Sequence, residues 1–241
     1  MLPIRDVNPT FIRPLVTWAI IAVNIFVFMA LQPQESPDAE EFAYRHAAIA
    51  CELTTGDPLE YFEANTGACV ERHQDEEIFP DKNLWFSVVA SMFLHGGWAH
   101  IVFNMWSLWI FGNNVEEAFG HRLYLLFYLV AGAAATAGFV LAEPSTTVPL
   151  IGASGAIAGV MGSYLVLFPR HQVLTLIFVR AVAIPATIFL GLWFLSQFLL
   201  VGGGSGIAWQ AHVAGFAFGA LITLPVRERL LARIGALPVD S

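Results

Sequence analysis

Charge is what this sequence has least of. Asp, Glu, Lys and Arg make up 12% of its 241 residues, while 57% are hydrophobic. A soluble domain carries about 25% charged residues. Half that cannot cover a water-facing surface, so the composition excludes most soluble enzyme classes and describes an integral membrane protein. Cysteine is also scarce. Cys51 and Cys69 are too few for a disulfide framework, and the sequence leaves open a single bridge between them should their segment face an oxidising compartment. No Cys/His spacing resembles a zinc site, no basic patch points to nucleic acid, and no internal repeat supports an inverted-repeat transporter. An Asn-x-Ser/Thr acceptor is missing, since Asn8 is followed by proline. The first apolar run ends in Gln-Pro-Gln without a small-residue cleavage pattern, and so reads as a retained signal anchor.

What acidity there is sits in one place. Residues 32–84 hold 13 acids against three bases, within a chain of net charge -8. Elsewhere the chain is weakly basic. A bilayer-crossing helix needs roughly 20 apolar residues. Six stretches meet or approach that length: Leu15–Leu31, Phe86–Phe111, Leu123–Ala142, Ile151–Phe168, Val182–Val201 and Ala208–Val226. With six spans both termini share a side, which collects Arg5, Arg13, Arg122, Arg170, Arg180, Arg227, Arg229 and Arg233, eight of the 11 bases. The positive-inside rule makes that side cytoplasmic. The expected organisation is a cytoplasmic N-terminus (1–14), a first transmembrane helix (15–31), an acidic extracytoplasmic loop (32–84) with short amphipathic helices, a five-helix membrane core (85–226) and a cytoplasmic tail (227–241).

Gly152, Gly155, Gly159 and Gly162 line the fourth span, and Ala211, Ala214, Gly215 and Gly219 the sixth. Small residues at this spacing let helix backbones approach closely, so these two spans are expected to pack together. Polar side chains at membrane depth are costly and suggest function. They are Asn24, His100, Asn104, Ser154, Gln197, Gln210 and His212, with His95 near the outer end of span two. Asn24 and Gln197 read as interhelical hydrogen bonders. His100 and Asn104, four apart, share a helix face. If spans four and six touch, Ser154 and His212 lie at similar depth, a nucleophile beside its general base. His100 and Asn104 then become oxyanion donors. His95 and His100, five apart, point about 140° away from each other on a helix, which argues against a metal site. The acids Glu116, Glu117, Glu143 and Glu228 lie at span ends, whereas a proton-coupled transporter would want one within a span.

Gly152-Ala153-Ser154-Gly155-Ala156 resembles the GxSG motif of the rhomboid family of intramembrane serine proteases. Met92–Met105, with His100 and Asn104, resembles that family's second span, and Ala211–Gly215 its histidine-bearing sixth. Glu116 through Gly120 is similar to its acid-to-glycine turn. The resemblance runs from about Phe86 to Pro225 and implies an all-α, six-transmembrane-helix bundle. It implies Ser154 as nucleophile and His212 as general base, with His100, Asn104 and the Ser154 N–H binding the oxyanion. Gly152 and Gly155 are structural near the site, His95 ties the first loop to span two, and Glu116 and Gly120 are structural at the cytoplasmic turn. No cofactor or metal is implied. The partners implied are transmembrane protein substrates within the lipid bilayer of a bacterial inner membrane. A catalytically silent relative that binds client helices is the alternative. Two positions depart from the family pattern. Ala158 stands where relatives carry an aromatic packed on the histidine, so Phe216 or a neighbouring helix must orient His212. A Trp-Arg pair of some relatives is absent from Leu84–Ser87.

Overall fold

A computed structural model describes residues 2–70, 75–199 and 207–235. Helices dominate it. Strand β1 (Leu2–Asp6) precedes α1 (Leu15–Phe26), which ends in a π turn at Val27–Leu31. Three short helices follow in the acidic segment: α2 (Asp38–His46), α3 (Ala50–Thr55) and α4 (Tyr61–Thr66). The bundle continues with α5 (Leu84–Ala90), α6 (Trp98–Phe119), α7 (His121–Ala142) and α8 (Ser154–Leu167). After the hairpin β2 (Gln172–Ile177) and β3 (Arg180–Pro185) come α9 (Ala186–Phe198), α10 (Trp209–Thr223) and α11 (Arg227–Arg233).

Six apolar helical units lie among the described residues, a number consistent with the six spans expected. His121–Ala142 and Trp209–Arg233 are each long and apolar enough to cross a membrane. Leu84–Phe93 with Trp98–Phe119 passes as a pair bent by 82°, and Leu15–Leu31, Ser154–Leu167 and Ala186–Phe198 are shorter apolar helices. The second span is therefore not the straight helix expected over Phe86–Phe111. It breaks at Leu94–Gly97, where Gly97 adopts φ 153°. The expected fifth span, Val182–Val201, loses its start to β3, and its last residues lie outside those described.

The deepest packing joins α8 to α10. Glycine inside a helix costs about 1 kcal/mol against alanine, and what it gives here is proximity. A Cβ on Gly219 would lie 1.9 Å from the Gly159 carbonyl oxygen, and one on Gly215 2.1 Å from that of Gly155. Around this contact Leu108, Phe111, Tyr124, Tyr128 and Tyr164 are fully buried.

The far end of α6 fastens α1. The Glu116 carboxylate, fully buried, accepts from the Val16 N–H (2.8 Å), the Thr17 N–H (2.7 Å) and the Thr17 hydroxyl (2.6 Å). A negative group thus caps a helix N-terminus, where amides lack partners and the dipole is positive. His121 Nδ1 lies 2.6 Å from the same carboxylate. Glu117 likewise accepts from the Phe11 N–H at 2.8 Å. Gly120 turns α6 into α7 with φ 75°, and a Cβ there would meet the Arg233 guanidinium at 2.5 Å. Arg233 in turn donates to the Phe119 carbonyl at 2.6 Å.

One element was not expected. β2 pairs antiparallel with both β3 and β1, making a three-stranded sheet of order β1-β2-β3. Segments read as a cytoplasmic N-terminus and an inter-span loop are thus joined to each other. The Trp106 indole donates to the Pro3 carbonyl at 2.6 Å, and the Tyr164 hydroxyl to Asp6 at 3.0 Å.

Candidate active site

Ser154 opens α8, and the segment before it is held from two sides. Gly152 donates its N–H to the Ser91 carbonyl at 2.9 Å, and Leu150 donates to the Ala48 carbonyl at 2.8 Å. Ser91 does double duty, since its hydroxyl accepts from the Ala48 N–H at 2.6 Å. The Cys51 N–H reaches the Thr146 carbonyl at 3.0 Å. A disulfide joins Cys51 to Cys69, with Cα atoms 5.7 Å apart. The acidic segment therefore buttresses the loop that leads into Ser154, a role that composition alone did not suggest.

The close approach of α8 and α10 brings two side chains together. His212 Nε2 lies 2.8 Å from Ser154 Oγ. The other ring nitrogen, Nδ1, lies 2.8 Å from Gln197 Oε1 on α9. Trp193, one turn earlier on α9, sits with its ring centroid 6.0 Å from that of His212, tilted by 34°. The histidine is thus held by a neighbouring helix, one of the two options expected. Phe216 packs on Trp193 instead, and Ala158 is fully buried.

A cavity of about 790 Å³ opens beside this pair, lined by His100, Asn104, Gly152, Ser154 and His212 among others. Asn104 is 7% exposed, yet its amide nitrogen has no partner among the described residues. A buried donor without an acceptor is expensive, and here it lines the cavity beside the serine. The Gly96 N–H donates to His100 Nδ1 at 3.3 Å. A neutral His100 ring therefore carries its hydrogen on Nε2. That nitrogen would lie 2.7 Å from a Cβ on Gly152, which itself would be 3.4 Å from Ser154 Oγ. With φ 125°, Gly152 occupies backbone space that side chains rarely adopt and leaves room for the His100 ring. Gly155 packs on α7, where a Cβ would meet that of Ala135 at 2.6 Å.

His95 departs in detail from its expected role. It does tie the first loop to the α5–α6 break, but through its main chain: its N–H donates to Gln32 Oε1 at 3.0 Å, and its carbonyl accepts from Gln32 Nε2 at 2.5 Å. Its ring is fully buried against Phe28 and His100. Glu116 and Gly120 lie at the opposite end of α6 from His100, as structural residues.

With this geometry described, comparison with known proteins gives the family. The family model for the rhomboid domain matches residues 82–229. The chain belongs to the rhomboid family. The match takes in the serine, both cavity histidines, Asn104 and Gln197, and leaves out β1, α1 and nearly all of the acidic segment. This rhomboid is 36% identical over 81 residues to the putative rhomboid protease YdcA of Bacillus subtilis, covering 34% of this chain and 40% of that protein. It is 30% identical over 146 residues to the mitochondrial Rhomboid protein 1 of Saccharomyces cerevisiae, covering 56% and 40%. It is 38% identical over 81 residues to the rhomboid protease GluP of B. subtilis, covering 34% and 15%. The chain spans less than half the length of each of these relatives. Family membership makes it a membrane-embedded protein. Because bacterial, mitochondrial and chloroplastic names all occur among its relatives, the expectation of a bacterial inner membrane gains no support from them.

Proposed function

We propose that this rhomboid is an intramembrane serine endopeptidase that cuts transmembrane segments of other membrane proteins near the outer interface. The observation that carries the reading is the 2.8 Å hydrogen bond from Ser154 Oγ to His212 Nε2, at the rim of a cavity with an unpartnered amide donor. Ser154 attacks the scissile carbonyl while His212 Nε2 takes the hydroxyl proton. Charge then develops on the carbonyl oxygen. The Asn104 amide, His100 Nε2–H and the Ser154 N–H at the start of α8 are the donors that receive it. His212 returns the proton to the leaving amine, and water entering by the cavity repeats the sequence on the acyl-enzyme.

Helix α8 supports an outward-facing site. Its 14 residues rise about 21 Å, short of the roughly 30 Å hydrocarbon core. A loop lining a water-filled cavity makes up the difference at allowed cost. Both termini are assigned to the cytoplasm, residues 32–84 to the outside and residues 85–226 to the catalytic core.

The test is cleavage of single-span reporters in liposomes, wild type beside Ser154→Ala, His212→Ala and Asn104→Ala. The first two are expected to abolish turnover, and the third to lower it about 10²–10³-fold. Absence of both cleavage and fluorophosphonate labelling of Ser154 in the wild type would overturn the reading in favour of a client-binding role.

A further inference from the structure

A serine–histidine pair needs its imidazole held in one tautomer. Nε2 must be bare to accept the serine proton, so Nδ1 must carry the hydrogen. A carboxylate usually supplies the acceptor that enforces this. Among the described residues no carboxylate bonds His212, whose Nδ1 is instead 2.8 Å from Gln197 Oε1.

An amide has two ends, one accepting and one donating, and only the first would serve. The surroundings of Gln197 decide between them. Its Nε2 donates to the Trp193 carbonyl at 3.1 Å, with the Ser196 hydroxyl at 3.3 Å. A carbonyl accepts and never donates, so the nitrogen end of the amide must face Trp193. The oxygen end is left to face His212. The ring is then obliged to donate from Nδ1, and Nε2 is left as the acceptor for Ser154. Gln197 is 5% exposed, which limits competition from water for its amide. Trp193 also flanks the imidazole face, and one helix therefore fixes both the plane of the ring and its proton.

We propose that Gln197 is the positioning residue of the dyad, setting the His212 tautomer through an amide whose orientation is locked by the Trp193 carbonyl. This rests on the serine–histidine reading above. Gln197 touches no substrate and acts through His212.

The test exploits opposite expectations. If Gln197 only fills space between helices, Gln197→Leu is harmless and Gln197→Glu, which adds charge to an apolar bundle, is the damaging change. If it positions His212, the order reverses, because Glu keeps the acceptor and Leu removes it. Reporter cleavage and fluorophosphonate labelling are followed in the full-length protein, with thermal unfolding alongside. Gln197→Leu is expected to lose roughly 10–100-fold in kcat with KM within about twofold and an unchanged melting point. Gln197→Glu is expected to stay within roughly tenfold of wild type. Gln197→Met, of similar length and with only a weakly accepting thioether, is expected to behave as Leu and covers the case in which Leu does not fold. Wild-type kcat in Leu or Met, or a Glu variant weaker than both, overturns the inference while leaving the dyad intact. A wild type that neither cleaves nor labels overturns both.

Discussion

Replacing Gly215 with alanine tests whether helix packing sets the chemistry. Judged by local propensity the change is favourable, since alanine in a helix gains about 1 kcal/mol over glycine. The packing argues the reverse. A Cβ at this position would lie 2.1 Å from the Gly155 carbonyl oxygen on α8 and 3.3 Å from the Ala135 Cβ on α7. Restoring ordinary contact requires α10 to retreat from α8 by roughly 1 Å. Overpacking of this kind costs about 1–3 kcal/mol, so the net effect is destabilisation. The same movement acts on the dyad, because Gly155 adjoins Ser154 and Gly215 lies one residue short of a turn beyond His212. The 2.8 Å bond between Ser154 and His212 would stretch beyond hydrogen-bond reach. A misplacement of 1 Å can cost about 10²-fold in rate. The assay is labelling of Ser154 by a fluorophosphonate, read against thermal unfolding in detergent. Gly191→Ala is the control, since nothing lies within 4 Å of the Cβ it would add, and it should be neutral or mildly stabilising. Wild-type labelling together with an unchanged or raised melting point in Gly215→Ala would refute the argument that close approach of α8 and α10 builds the site.

Glu116→Ala removes the cap of α1 and leaves two amides and a hydroxyl without an acceptor. A loss of about 3 kcal/mol is expected in thermal or denaturant unfolding, with labelling of Ser154 preserved at low temperature. Burial pushes the Asp6 carboxyl up to about 6, against the lowering effects of the Tyr164 hydroxyl, local backbone bonds and Arg5. For an acid raised on folding, the stabilisation is complete below the ordinary value near 4 and is lost as pH rises through about 6. Amides of β1 should thus exchange more slowly at pH 5 than at pH 7.5 once intrinsic rates are removed, and Asp6→Asn should flatten the difference. Cys51 and Cys69, 18 residues apart, close a loop whose opening costs about 3 kcal/mol on a chain-entropy basis. Reduction, or Cys69→Ser, should sensitise residues 143–153 to protease and slow reporter cleavage; an unaltered digestion pattern would sever the link argued from the Cys51–Thr146 bond.

Much of the site was legible in the sequence because the residues that build it are chemically rare in a span. A serine between glycines, two histidines and an asparagine at helical spacing stand out against an apolar background, and the small-residue faces predicted which helices would bring two of them together. Direction was harder to read. Phe86–Phe111 reads as one apolar stretch, and nothing in that average shows the 82° bend, although Gly96-Gly97 stood at its position. The sheet escaped notice because the partners of Leu2 and Pro3 are Leu176 and Thr175, too far along the chain for any local pattern to join them. Gln197 was recognisable as an interhelical hydrogen bonder, but an amide does not announce which of its ends faces which neighbour. The Ser91 hydroxyl and the Gln32 amide bond main-chain atoms of Ala48 and His95, and every residue type carries those atoms. The acidic segment looked separable from the core by composition, yet three of its backbone groups, on Ala48 and Cys51, hold the serine loop and its Ser91 support.

The sheet and the Glu116 cap also impose an order on assembly. During synthesis β1 and α1 leave the ribosome before the rest of the bundle, but the carboxylate that satisfies the first amides of α1 is translated a hundred residues later. The strand that pairs with β1 follows later still. Helix α1 is therefore made with its leading amides unsatisfied by protein, and the edge of β1 stays unpaired until three more apolar helical units have followed α1. Elements made before the rest of the bundle are thus among the last to be completed, and a chain stalled before β2 would expose the open edge of β1 to the machinery that surveys new membrane proteins.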